Sequence, residues 1–293
     1  MAARPGQCCG APAPAQAAAP SSGWDGMSTW YVANMSPATA PLALSLAGHL
    51  GLLAAPEEGP APPGPLDVLE THCGDARAAQ SLLASAERGG ARPASYTACD
   101  FSEGMLSVAR ARLDGLASVV LADSTSLPFE DAKFDRYLSN MGCCCVSDLD
   151  AKLREARRVL RPGGVAAMSM RLEGGDGDTS FALISRVLNP FGFPPGADRD
   201  GLHLGKEPAR LRARLVASGF SSAVAWRSWV TFPIHDAAAF LAFALGQPPV
   251  AKFLGGLEES RRQEAGAALE KAGREALEAG AIQVAVAVVV ARV

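Results

Sequence analysis

Between residues 66 and 170 the apolar pattern switches back and forth between the short runs of buried strands and the longer stretches of helices. Runs at 66–69, 95–99, 118–122, 134–139 and 165–170 alternate with helix-forming segments at 75–87, 102–114 and 147–160. The punctuation agrees: Gly89-Gly90 closes the first helix, Ser102 with Glu103 opens the second, Ser147 and Asp150 form a Ser-x-x-Asp cap, and Arg161-Pro162-Gly163-Gly164 stops the last helix. Strand–helix alternation of this kind predicts an α/β fold with a doubly wound, mostly parallel sheet and right-handed crossovers.

In such sheets ligands bind beyond the carboxyl ends of the strands. The ends here are polar. Glu70, Thr71 and Gly74 follow the first strand; Asp100 and Phe101 follow the second; Asp123-Ser124 follows the third; Asn140-Met141-Gly142 follows the fourth, running into Cys143-Cys144-Cys145. Gly74 allows close backbone approach to a ligand, and Asp100 is placed to accept from both hydroxyls of a ribose. A plain strand-turn-helix at Gly74 and a simple helix cap at Asp100 are the bland alternatives. After Gly74 the chain reads Asp-Ala-Arg-Ala-Ala, so the Gly-x-Gly-x-x-Gly fingerprint of nicotinamide dinucleotide sites is absent.

The rest of the chain bounds the function. The 27 Lys and Arg against 30 Asp and Glu leave a formal charge of -3, with no basic field for nucleic acid. No apolar run approaches the ~20 residues of a membrane span, and the chain is expected to be soluble. Seven cysteines at 8, 9, 73, 99 and 143–145 form no disulfide framework or zinc spacing, which favours a reducing compartment and no metal site. Residues 1–22 are Ala/Pro-rich and expected to be disordered; localisation is read as cytoplasmic, with an organellar address for that tail the alternative. Residues 24–52 read as two short cap helices broken near Pro37 and Pro41, and 56–65 as a linker. Past 170 come a loop at 174–178, a helix at 181–188, a Pro/Gly-rich excursion at 189–205, a helix at 207–218, and strands at 223–232 and 282–293. These strands flank a helical insertion within 235–280, with helices at 237–245 and 257–279.

These residues together resemble the class I S-adenosylmethionine-dependent methyltransferases, specifically the small-molecule type called methyltransferase type 11, over roughly residues 66–293. That family's first motif is an acidic residue after an apolar strand, then Gly-x-Gly-x-Gly. Here Glu70, Cys73 and Gly74 match, while His72 and Ala76 stand where glycines usually do. The resemblance implies one domain over 23–293, Rossmann-like, with a seven-stranded sheet in the order 3-2-1-4-5-7-6 and helical lid segments at 24–52 and 237–279. It further implies S-adenosyl-L-methionine as cofactor, contacted by Tyr31, Glu70, Thr71, His72, Gly74, Asp100 on the ribose, Phe101, Met105 against adenine, Asp123, Ser124 and Asn140.

The implied chemistry is in-line transfer of a methyl group to a small-molecule acceptor, by a monomer or homodimer. No catalytic residue is assigned; His72, His203 and His235 are the available bases if the acceptor needs one. Two alternatives are carried: a non-catalytic cofactor-binding or interaction protein whose first motif has decayed, and a thiol-assisted metalloid methyltransferase using the Cys143-Cys144-Cys145 run.

Overall fold

The computed structural model describes residues 23–53, 64–87, 93–172, 178–194, 204 and 206–293. Two helices, α1 (Ser28–Asn34) and α2 (Ser36–His49), precede β1 (Asp67–Thr71), α3 (Arg77–Glu87), β2 (Ser95–Asp100), α4 (Glu103–Arg112), β3 (Ser118–Leu121), β4 (Phe134–Ser139), α5 (Leu149–Val159) and β5 (Leu160–Arg171). Then follow α6 (Phe181–Leu188), α7 (Pro208–Ala217), β6 (Ser222–Thr231), α8 (Ala237–Leu245), α9 (Pro248–Gly255), α10 (Glu259–Ala279) and β7 (Gln283–Arg292).

The strands form one sheet in the expected order, β3-β2-β1-β4-β5-β7-β6. β1 to β5 pair in parallel, and β7 runs antiparallel between β5 and β6. Both faces are covered. One carries Leu46, Leu82, Leu106, Ile184, Phe240 and Leu269 from α2, α3, α4, α6, α8 and α10; the other carries Leu149, Leu153, Leu211 and Leu215 from α5 and α7. β1, β4, β5 and β7 lie between two cores, and in β5 and β7 this gives the continuous apolar runs 165–168 and 284–291 instead of alternation.

The Arg161-Pro162-Gly163-Gly164 turn sits at the end of the sheet away from the polar strand ends. Arg161 pairs with Asp67 at 2.9 Å and Asp135 at 2.7 Å, tying the starts of β1 and β4 to that of β5. Some local expectations fail. Pro41 lies inside α2 without ending it, because packing of Ala43, Leu46 and Ala47 offsets the single hydrogen bond a proline forfeits. The N-cap of α5 is Asp148, whose carboxylate accepts from Ala151 N at 2.8 Å; Asp150 instead pairs with Arg214. Helix α9 was not anticipated, since Pro248 and Pro249 read as a break but occupy a helix start, where a missing N–H costs nothing. The expected tail at 1–22, the loop at 174–177, and most of the linker and of the 189–205 excursion lie outside the described residues.

Candidate active site

The carboxyl ends of β2, β1, β4 and β5 stand side by side and open on one cavity of about 250 Å³. Asp100, Phe101 and Met105 come from the β2 end and α4; His72 and Gly74 from the β1 turn; Asn140, Met141, Cys144 and Cys145 from the β4 exit; Arg171 and Phe181 from the β5 end and α6. Trp24, Tyr31, Met35 and Thr39 close it from the N-terminal helices.

The β1 turn explains a motif. His72, Gly74 and Ala76 have φ of 57°, 55° and 55°, so all three alternate positions are left-handed. Glycine is the residue that adopts this conformation without strain. His72 and Ala76 accept it, and the loop keeps its course. At Gly74 a Cβ would stand 3.1 Å from the Tyr31 ring, so this position also lacks room for a side chain.

Asp100 is built into the turn. Its Oδ2 accepts from Gly74 N at 3.0 Å and its Oδ1 from Ser102 N at 3.0 Å. Burial pushes its carboxyl up from the usual range, and the backbone N–H groups oppose that by favouring the charged form. Ser102 caps α4 by accepting from Met105 N. Asp25 joins this cap from the N-terminal segment, taking hydrogen bonds from Ser102 Oγ at 2.5 Å and Gly104 N at 3.1 Å. That contact fixes Trp24 and Tyr31 over the cavity.

Beneath His72 lies Lys152, fully buried on the inner face of α5. Its Nζ reaches Ser139 Oγ at 3.0 Å, His72 Nδ1 at 3.2 Å, Tyr137 OH at 3.3 Å and Thr71 Oγ1 at 3.4 Å. Burial lowers the Lys152 pKa, but the neighbouring polar and thiol groups outweigh it and the net shift is upward. An ammonium has no acceptor to offer, so His72 Nδ1 accepts and the proton of that neutral ring sits on Nε2. Desolvation first, then the Lys152 charge, holds His72 well below its ordinary value. With Nδ1 occupied by Lys152 and the proton on Nε2, the neutral ring keeps no free lone pair, which disfavours His72 as a base.

The other anticipated positions divide. Tyr31, His72, Gly74, Asp100, Phe101, Met105 and Asn140 share the cavity wall. Asn140 also ties elements together, donating to Thr39 O at 3.0 Å and accepting from Ser169 Oγ at 2.8 Å. Glu70 lies in an adjoining recess and is fully buried; Tyr96 OH donates to it at 2.8 Å, and burial pushes its carboxyl up to about 7. Thr71 is spent on Tyr137 OH at 2.9 Å. Asp123 is exposed off the wall, its Oδ1 accepting from Thr125 N and Oγ1 at 2.8 Å each, while the Ser124 hydroxyl is buried without a hydrogen-bond partner. His235 is exposed and off the wall, and His203 lies outside the described residues. No described wall residue comes from 237–279; α8 packs behind the wall, with Phe243 against Trp30. The metalloid expectation loses its third ligand, because Cys143 faces Met168 in the core.

Lys152, Arg171 and Phe181 were missed by the sequence reading. Lys152 had a signal: it falls with Leu149, Leu153 and Ala156 on the apolar stripe of α5, where a lysine is out of place.

Comparison with known proteins points to a family for the first part of the sheet. A family model described as a methyltransferase domain matches residues 69–168, which hold β2 to β4, parts of β1 and β5, and most of the cavity wall. Over those residues the chain matches a methyltransferase domain. Among curated relatives, a demethylmenaquinone methyltransferase of Clavibacter sepedonicus is 39% identical over 99 residues, 33% of this chain and 38% of the relative. A malonyl-[acyl-carrier protein] O-methyltransferase of Erwinia pyrifoliae is 38% identical over 122 residues, 41% of this chain and 43% of the relative. The chain thus spans less than half the length of these relatives. Among solved structures, YcgJ of Bacillus subtilis superposes with a TM-score of 0.52 at 14% identity, covering 86% of this chain and 98% of that one. Phosphoethanolamine N-methyltransferase 2 of Haemonchus contortus gives 0.52 at 14% identity, over 92% of this chain and 57% of that one. The methyltransferase fold thus extends well beyond the matched 69–168, into the antiparallel β6–β7 pair.

Proposed function

We propose that this chain is an S-adenosyl-L-methionine-dependent methyltransferase acting on a small-molecule acceptor. The observation that carries the reading is Asp100: a buried carboxylate on the cavity wall, fixed through Gly74 N–H and Ser102 N–H. The residues fit the cofactor. Asp100 suits a ribose diol, Gly74 is a cradle that a Cβ would fill, and Phe101 and Met105 offer an apolar, polarizable face for a flat ring. When bound, S-adenosyl-L-methionine supplies an electrophilic methyl carbon. The chain's own residues then bind, orient and exclude water: Asp100 and Gly74 hold one end, the His72 Nε2–H offers a donor for a carboxylate, and Trp24, Tyr31 and Met35 cover the cavity.

With His72 a donor, the described wall holds no histidine base. This favours an acceptor that arrives as its own nucleophile, such as a thiolate, a tertiary amine or an electron-rich carbon. The name of one relative, a C-methyltransferase for ubiquinone and menaquinone in Paracoccus denitrificans, 46% identical over 77 residues, supports the carbon class.

Titration calorimetry with S-adenosylmethionine and S-adenosylhomocysteine tests the reading. Binding of both, weakened at least about tenfold by Asp100→Ala, is the expected result. Absence of binding at millimolar ligand removes the enzyme reading, and binding without methyl transfer in a labelled-cofactor screen of metabolite pools points to the non-catalytic alternative.

A further inference from the structure

The three consecutive cysteines at the β4 exit have diverging side chains. Cys143 is fully buried with Sγ 4.0 Å from Met168 Sδ, on the core side. Cys144 and Cys145 both line the cavity, with their Sγ atoms 4.0 Å apart. Both sulfurs lie near the Met141 carbonyl, at 3.1 and 3.5 Å, and Met141 is itself left-handed at φ 57°, so the chain doubles back and brings the two thiols to one side.

The surroundings are soft and positively charged. Met35, Met105 and Met141 share the wall, so five of its residues bear sulfur. Arg171 stands on the same wall; the hydrogen bond with Cys145 first, then the Arg171 charge, favours the thiolate form of Cys144 over its ordinary balance. A thiolate is the form that binds soft ligands. Among the described residues no group of three His, Cys, Asp or Glu is arranged to hold a metal ion. A zinc ion needing four ligands is therefore poorly served. A trivalent metalloid that keeps one substituent needs only two.

We propose that Cys144 and Cys145 form a two-thiol site, at the β4–β5 end of the cavity, for a soft trivalent metalloid of the arsenic(III) class. For a monosubstituted arsenic(III) oxide the capture step balances without redox change. Two As–S bonds form, the bonds from arsenic to oxygen break, and the two thiol protons leave with that oxygen as water; arsenic stays trivalent. The inference concerns capture alone and stands whether or not the chain transfers methyl groups.

The test uses phenylarsine oxide and the full chain carrying C8S and C9S, which removes the other adjacent cysteine pair. Of seven cysteines, five then remain. Mass spectrometry is expected to show one adduct per chain, and alkylation after capture to fall from five sites to three, with Cys144 and Cys145 the protected pair. Excess dithiol, but not monothiol, releases the adduct. C144S and C145S each weaken retention at least about tenfold, and C143S leaves it unchanged. Protection mapping to Cys73, Cys99 or Cys143, or retention undiminished in C144S or C145S, overturns the proposal. The mapping needs no change at 143–145, so it decides the matter even if a serine variant folds poorly.

Discussion

The Lys152 ammonium lies 3.2 Å from His72 Nδ1 and sets which nitrogen of that ring carries its proton. In nitrogen-15 spectra the wild-type ring should read as the neutral Nε2–H tautomer across the neutral range. The folded pKa of His72 is depressed, so as pH falls below the unfolded value of about 6.5 the unfolded chain takes up the proton first and stability declines. Lys152→Met removes part of the cause. Its His72 should titrate nearer the ordinary value, and S-adenosylhomocysteine affinity should fall and become pH-dependent. A wild-type ring protonated at Nδ1 would sink the assignment.

Glu70 gives the opposite slope. Its folded carboxyl titrates at about 7, above the ordinary 4.5, chiefly because burial disfavours the charge. Between those values the folded chain holds the extra proton, so the Glu70 contribution is fully present below pH 4.5 and is lost as pH rises to about 7. Glu70→Gln should flatten this window and be more stable than wild type at pH 8, by the order of 1–3 kcal/mol. Urea midpoints at pH 5 and pH 8 measure it; an unchanged pH slope in the variant would contradict the raised value.

Left-handed alanines separate strain from burial. Ala132 is exposed at φ 53°, while Ala76 is fully buried at φ 55°. Glycine relieves about 1–2 kcal/mol of strain at either site and returns about 0.4–1 kcal/mol as unfolded-state entropy. Ala132→Gly should therefore stabilise by about 0.5–1 kcal/mol. Ala76→Gly also gives up a buried methyl worth about 0.8 kcal/mol, so it should come out near neutral. Chemical denaturation of the two variants checks the difference.

Gly142 is required for space. A Cβ there would stand 2.5 Å from Ser139 Oγ and 2.6 Å from His72 Cγ and Nδ1, directly over the Lys152 contact. Gly142→Ala should cost about 1–3 kcal/mol by overpacking. It should also displace the His72 ring, visible as a shifted imidazole resonance; an undisturbed resonance with wild-type stability would show that the β4 exit yields more easily than the geometry indicates.

Much of the fold was legible because its signals are local. The apolar runs, the Ser102 cap and the Arg161-Pro162-Gly163-Gly164 stop each act within a few residues, and strand ends inherit their place from them. The cavity wall was legible at Gly74 and Asp100, where a turn glycine and a strand-end carboxylate meet. It was less legible at Asp123, whose side chain turns to Thr125, and at Pro41, where packing overrode propensity.

The sequence by itself determined the order of strands and helices, the polar strand ends and the doubly wound topology, because period, caps and crossover handedness follow from neighbouring residues. Only the tertiary structure decided that Lys152 and His72, 80 positions apart, share a proton arrangement, and that Cys144 and Cys145 face the cavity while Cys143 faces the core. Those outcomes depend on how α5 settles across β1 and β4 and on the left-handed turn at Met141, and register between distant elements is fixed by packing.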